Sequence, residues 1–233
     1  MMVNQSPSHA PKIQFTNLYR LTDICDIDRD GKFSRDWDKS YTTLDSGKSK
    51  VNVPSDGGSQ ILLRQLRLKP FEDLPEDVRN ILGHQEALYL VTSTRYAMHY
   101  VGMTAGGIAG VFKGSGRFSH HARKMLASVV NKGTNHTGGW IDHAKDRYEN
   151  LLSDVEHGEE PTDEELLGDV FITFGVSDTD WVSEDHEGIA EDYFKERLAA
   201  VKGKLSVSMN RKTTYRKPAE ISEPKNFDEV LSQ

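Results

Sequence analysis

The chain has 233 residues, of which 36% are hydrophobic and 28% charged, a composition that suits a globular fold with one core or one core plus a smaller appendage. No apolar run approaches the roughly 20 residues of a membrane-spanning helix, and the polar start "MMVNQSPSHAPK" lacks the basic-then-apolar pattern of a secretory leader. A single cysteine, Cys25, excludes an intramolecular disulfide and a cysteine-rich zinc site, so a reducing, cytoplasmic setting without membrane association is expected.

In chain order, residues 1–12 are polar and rich in Pro and Ser, the composition of a disordered terminus. Residues 13–80 carry the turn signals "DGK", "DSGKS" and "PSDGGS" and read as a loop-rich extension or arm. Near its end, "QILLRQLRL" is a short helix or strand. "KPFEDLPEDVRNILG" is a helix with Pro75 at its start and Gly83 as its stop. From about residue 81 the texture changes. "EALYLVTS" and "MHYVGMT" are rich in Tyr, Val and Thr and predict two strands of a hairpin. "GRFSHHARKMLASVVNK" has apolar residues near helical spacing after a glycine-rich stretch, and "WIDHAKDRYENLLSD" predicts another helix. "DVFITFGVSD" is a third strand, and "SEDHEGIAEDYFKERLAAVKG" is a helix with Ser183 as N-cap, acids first, bases late and Gly203 as stop. "KLSVSMNRKTTYRKP" is a short strand or extended basic tail, and 218–233 forms a C-terminal tail. This order predicts an α/β (α+β) domain over 81–217: a small central antiparallel sheet of about three strands flanked by helices.

The formal net charge of −7 is unevenly distributed. Ala87 to Ile141 contains no Asp or Glu and carries +6, Asp142 to Glu196 carries −16, and Arg197 to Ala219 carries +7 without an acid. Two basic segments brought together by the fold would make a positive surface able to neutralise a polyanion, which the bulk charge conceals. "DIDRDGKFS" imitates a calcium loop, with Asp26, Asp28, Asp30 and Gly31 at suitable positions. Its twelfth position is Trp37 rather than a bidentate carboxylate, so an acidic surface turn is expected. His120, His121, His136 and His143 fall in no zinc-ligand spacing.

The combination of "ALY" at 87–89, "YVG" at 100–102, Arg117 with His121 one helical turn later, and an acid on the helix after the third strand resembles the GIY-YIG nuclease family, most closely its restriction endonuclease branch. The resemblance covers roughly residues 85–217 and implies a phosphodiester hydrolase acting by direct attack of water. It assigns Tyr89 as general base, His121 as acceptor of the Tyr89 proton, Arg117 as clamp on the scissile phosphate, and Tyr100 as the group orienting water or phosphate. It assigns Glu191, with Glu187 as competitor, to one divalent cation, Mg²⁺. Asn210 is the candidate for the family's asparagine, although it lies 19 positions after Glu191. Lys113, His120, Arg123, Lys124, Lys132, Arg211 and Lys212 are expected to contact nucleic acid, as residues that position its backbone. The implied partner is double-stranded DNA, bound by a homodimer where the site is palindromic. Two alternatives stay open: a low-specificity phage or mobile-element nuclease, and a non-catalytic nucleic-acid-binding module on the same fold.

Overall fold

The computed structural model describes residues 10–30, 41–45, 50–54, 62–94, 98–111, 130–132, 162, 164, 167–179, 182, 184–203, 207–208 and 219–232, some by their backbone alone. They divide into two compact units, one built from 1–19, 75–108 and 172–233, the other from 20–74 and 109–171. The fold is α/β.

The first unit is organised by a mixed sheet. Its strands are β1 (Lys12–Phe15), β2 (Tyr19–Arg20, in this unit to Tyr19), β7 (Ala87–Ser93), β8 (Met98–Thr104), β10 (Val170–Ser177, in this unit from Ile172), β11 (Val207–Ser208) and β12 (Glu220–Ser222), in spatial order β11-β8-β7-β10-β1-β12 with the short β2 also paired to β10. The three strands expected from sequence, β8, β7 and β10, are indeed neighbours, but the sheet extends past them on both sides. It is also mixed rather than antiparallel, because β11 runs parallel to β8 and β12 parallel to β1. Every residue of β7 is buried and β10 is buried along nearly its whole length, so neither can serve as a solvated edge. The chain termini supply the missing neighbour: β1 pairs antiparallel with β10, matching Ile13 to Ser177 and Phe15 to Gly175, and β12 pairs with β1 in turn.

Two expectations change as a result. Residues 12–15, at the junction of the supposed disordered terminus and the loop-rich extension, are a strand of the sheet, and part of the supposed C-terminal tail is core. Helix α5 (Phe227–Leu231) buries Phe227, Val230 and Leu231, and Asn226 fixes the backbone of Leu18 with two hydrogen bonds, of 2.8 and 2.9 Å. Gly175 is needed here because a β-carbon would come within 2.6 Å of the Phe15 ring.

Two further helices complete this unit's frame. In α2 (Glu76–Ile81), Pro75 precedes the first turn and two acids occupy it, as the macrodipole favours. The long helix α4 (Glu184–Lys202) ends at Gly203, whose φ of +64° is the left-handed conformation that closes a helix. It buries His186, Ala190, Glu191, Phe194 and Leu198. Phe194 meets Phe15 edge-on at 4.9 Å and stacks on Phe227 at 5.6 Å, tying the helix to both termini. The short helix α3 (Gly107–Val111) follows β8 after a tight turn, in which Gly107 has a φ of +66° and a β-carbon would meet the His84 carbonyl oxygen at 2.7 Å.

The second unit contains helix α1 (Leu21–Ile24) and two small sheets. β3 (Cys25–Asp30) pairs antiparallel with β6 (Leu62–Leu68), and β5 (Lys50–Pro54) lies between β4 (Tyr41–Asp45) and β9 (Val130–Lys132). Asp26, Asp28 and Asp30 are therefore strand residues. An extended strand carries the backbone about 13 Å from Asp26 to Asp30, so the three do not curl round one ion as a calcium loop does. β9 occupies the last residues of the segment expected to continue as a helix, where the β-branched pair Val129-Val130 favours extended backbone. Arg20 and Glu164 form an ion pair within this unit.

Candidate functional site

The two tyrosines of the family-like tripeptides come together on adjacent strands. β7 and β8 are antiparallel, with Tyr89 opposite Gly102 and Val91 opposite Tyr100, so both tyrosines share one face of the hairpin. Their ring centroids are 5.8 Å apart at an interplanar angle of 50°. A β-carbon on Gly102 would lie 2.7 Å from Tyr100 Cε1 and closer still to Cζ and the hydroxyl of Tyr89. The glycine of "YVG" thus has a steric role: it leaves the space that the Tyr89 ring fills, and its backbone stays in ordinary extended pairing. Ala87, where the family pattern has glycine, pairs with Thr104 in regular strand, so a β-carbon is accommodated there. The turn after β8 is closed by the Thr104 hydroxyl, which donates to the Gly107 carbonyl and accepts from the Gly106 N–H.

Tyr89 is 2% and Tyr100 5% exposed. A phenol with a reference pKa of about 10 needs local help to act as a base at neutral pH. The neighbouring histidine in sequence, His99, is fully buried and paired across the hairpin with Thr92. Burial, assisted by the positive charge of Lys195, lowers its pKa to about 4, so it is a neutral imidazole at physiological pH. Sequence reasoning passed over His99, and the only cue available was its position immediately before Tyr100.

Helix α4 packs along β8 and carries both candidate metal ligands. At about 100° per residue, Glu187 falls inside the arc marked out by buried His186, Ala190, Phe194 and Leu198, and Glu191 lies about 20° past its Leu198 edge. Glu191 is 8% exposed and Glu187 half-buried, which favours Glu191 as the more enclosed carboxylate. The chemistry of this donor suits Mg²⁺, which takes hard oxygen ligands and commonly only one or two protein carboxylates.

Arg197, the first base of the second positive segment, is committed elsewhere. Its Nε and Nη2 donate to the two carboxylate oxygens of Glu223 at 2.7 and 3.0 Å, Nη2 also donates to Asp228 at 2.7 Å, and the guanidinium lies 5.4 Å from the centre of the Phe227 ring. The Glu223 carboxylate, which also accepts from Tyr193 at 3.0 Å, raises the guanidinium pKa further still. Arg197 fastens the C-terminal segment, and the positive segment loses one charge available to a polyanion.

Of the remaining expected site residues, Lys113, Arg117, His120, His121, Arg123, Lys124, Asn210, Arg211 and Lys212 lie outside the described residues, and Lys132 is described by its backbone in β9. The structure thus brings together Tyr89, Tyr100 and Gly102, and places Glu191 on the helix packed along β8. Among the described residues no helix is long and apolar enough to cross a membrane. In comparison with known proteins, the chain matches no family model, no curated protein and no solved structure.

Proposed function

We propose that the chain is a divalent-metal-dependent DNA endonuclease of restriction type, acting in the cytoplasm as a homodimer on palindromic duplex DNA. The observation that carries this reading is the Tyr89–Tyr100 pair, ordered over Gly102 at the centre of the sheet, in the two tripeptides on which the sequence resemblance rests. A ring pair fixed by packing holds its hydroxyls in place before substrate arrives, which is the preorganisation that a hydrolytic site requires.

In this reading Tyr89 takes the proton of the attacking water and passes it to His121. Arg117 holds the scissile phosphate with its forked donors and offsets the charge that builds up on it. Tyr100 orients the water or the phosphate. Mg²⁺, held by Glu191, would supply positive charge to the phosphate oxygens and the leaving 3′ oxygen. Asn210 keeps a supporting role at the same site.

A second reading, a non-catalytic nucleic-acid-binding module, is favoured by one observation: at 2% exposure the Tyr89 ring is nearly closed to water. One experiment separates them. Wild-type protein incubated with supercoiled plasmid and Mg²⁺ should nick or linearise it, whereas Arg117→Ala and Glu191→Gln should each be slower by about 100-fold or more. Retention of DNA by the wild type without cleavage of any of a diverse set of sequences would leave the binding module standing.

A further inference from the structure

A cavity of about 270 Å³ opens in the first unit between β1, α2 and the turn before α5, away from the tyrosine pair. Its polar wall is formed by Gln14, Asn17, Asp77, Asn80 and Lys225, and its apolar wall includes Ile81 and Val176. The Asp77 carboxylate is held in a fixed orientation, because Oδ2 accepts the Asn17 N–H at 2.8 Å and Oδ1 accepts the Tyr19 hydroxyl at 2.5 Å. An ionised carboxylate has about four acceptor positions, two on each oxygen, so one remains on each side for a ligand. Asn226 clamps the Leu18 backbone, and this keeps Lys225 beside the same loop. Among the described residues, the amides of Gln14 and Asn80 and the ammonium of Lys225 make no hydrogen bond or ion pair, so they are available to a ligand.

We propose that this cavity binds a guanine nucleotide, with Asp77 receiving two parallel N–H groups of the base and Lys225 the phosphate. Guanine alone among the common bases presents two adjacent donors, N1–H and the 2-amino group, that match one free acceptor position on each carboxylate oxygen. Cytosine and adenine offer one exocyclic amine beside an acceptor, and uracil a single N–H between two carbonyls. An arginine side chain has a similar donor fork, but its positive charge is disfavoured beside Lys225, which instead attracts an anion. The Asn80 or Gln14 amide can donate to the guanine O6, and Ile81 and Val176 supply apolar surface for the ring. The volume, just below the roughly 300–1,000 Å³ typical of drug-sized ligand pockets, suits one nucleotide with its phosphate at the rim. None of these residues belongs to the proposed catalytic set, so this site stands or falls independently of nuclease activity.

The test is titration of the full-length protein with GMP, followed by amide NMR shifts and calorimetry. GMP should perturb residues 14–17, 77–81 and 225, and IMP, which lacks the 2-amino group, should bind at least about tenfold more weakly. Lys225→Ala and Asn80→Ala, both at exposed positions, should each weaken GMP binding severalfold with unchanged circular dichroism, which keeps the test decisive even if Asp77→Asn loosens the Asn17–Tyr19 loop. A single-stranded oligonucleotide ending in guanosine distinguishes the source: tighter binding than GMP assigns the site to strand ends, equal binding to the free nucleotide. Equal affinity for GMP and IMP, equal perturbation by N-acetylarginine amide, or no response to millimolar GMP would overturn the proposal.

Discussion

Tyr89 lies directly across the β7–β8 hairpin from Gly102, and its ring fills the volume that a β-carbon at position 102 would need. Gly102→Ala must therefore push a nearly fully buried aromatic ring aside. Overpacking of this kind costs about 1–3 kcal/mol. Urea denaturation should show that loss, and plasmid cleavage should fall with it because the displaced ring is the proposed base. Gly83→Ala is the control: a β-carbon there meets nothing within 4 Å, and its effect should stay within about 0.5 kcal/mol.

His99 makes stability depend on pH in a defined direction. Its pKa is about 4 in the folded chain against an ordinary value of 6.5, so between these values the unfolded chain binds more protons than the folded one. The native state keeps its full advantage above about pH 6.5 and loses it progressively as pH falls toward 4. The loss amounts to about 3 kcal/mol once the pH is below the folded value. Urea midpoints measured from pH 7 to 4 for wild type and His99→Gln should diverge over this window. Parallel curves would show that His99 is not a buried neutral group.

Arg197 joins α4 to the C-terminal segment through Glu223 and Asp228. Arg197→Ala should destabilise the protein by about 1–2 kcal/mol, more than an exposed ion pair contributes, because the bidentate pair with Glu223 is partly shielded from solvent. Amide exchange should rise most at 219–232. The salt dependence of DNA binding should change little, since this guanidinium is already occupied; a drop of about one in the slope of log K against log salt would place it on DNA instead.

Glu191 and Glu187 stand one turn apart on α4 and differ in enclosure. Glu191→Gln should reduce Mg²⁺-dependent cleavage by about 100-fold or more, whereas Glu187→Gln should cost less than about tenfold. The reverse ranking in a plasmid nicking assay would move the metal ligand to Glu187.

Local pattern carried much of the architecture. The Tyr, Val and Thr content of "EALYLVTS" and "MHYVGMT" specifies strands, and the acids, bases and terminal glycine of 184–203 specify a helix with its end, because these signals act over a few residues. The α/β class and the neighbouring tripeptides were legible for that reason. The roles of residues 12–15 and 219–232 were not, since a three-residue strand such as β12 is determined by the unpaired edge waiting for it, and that edge is contributed from the opposite end of the chain. Composition likewise marked Arg197 as one more positive charge, while only the tertiary structure brings Glu223 and Asp228 to it across 26 and 31 positions. The same holds for Gly102. The sequence by itself determined that a glycine follows Tyr100 by two residues; only the pairing of β7 with β8 decided that its missing side chain is the space in which Tyr89 sits, because steric exclusion exists only between groups that the fold has brought into contact.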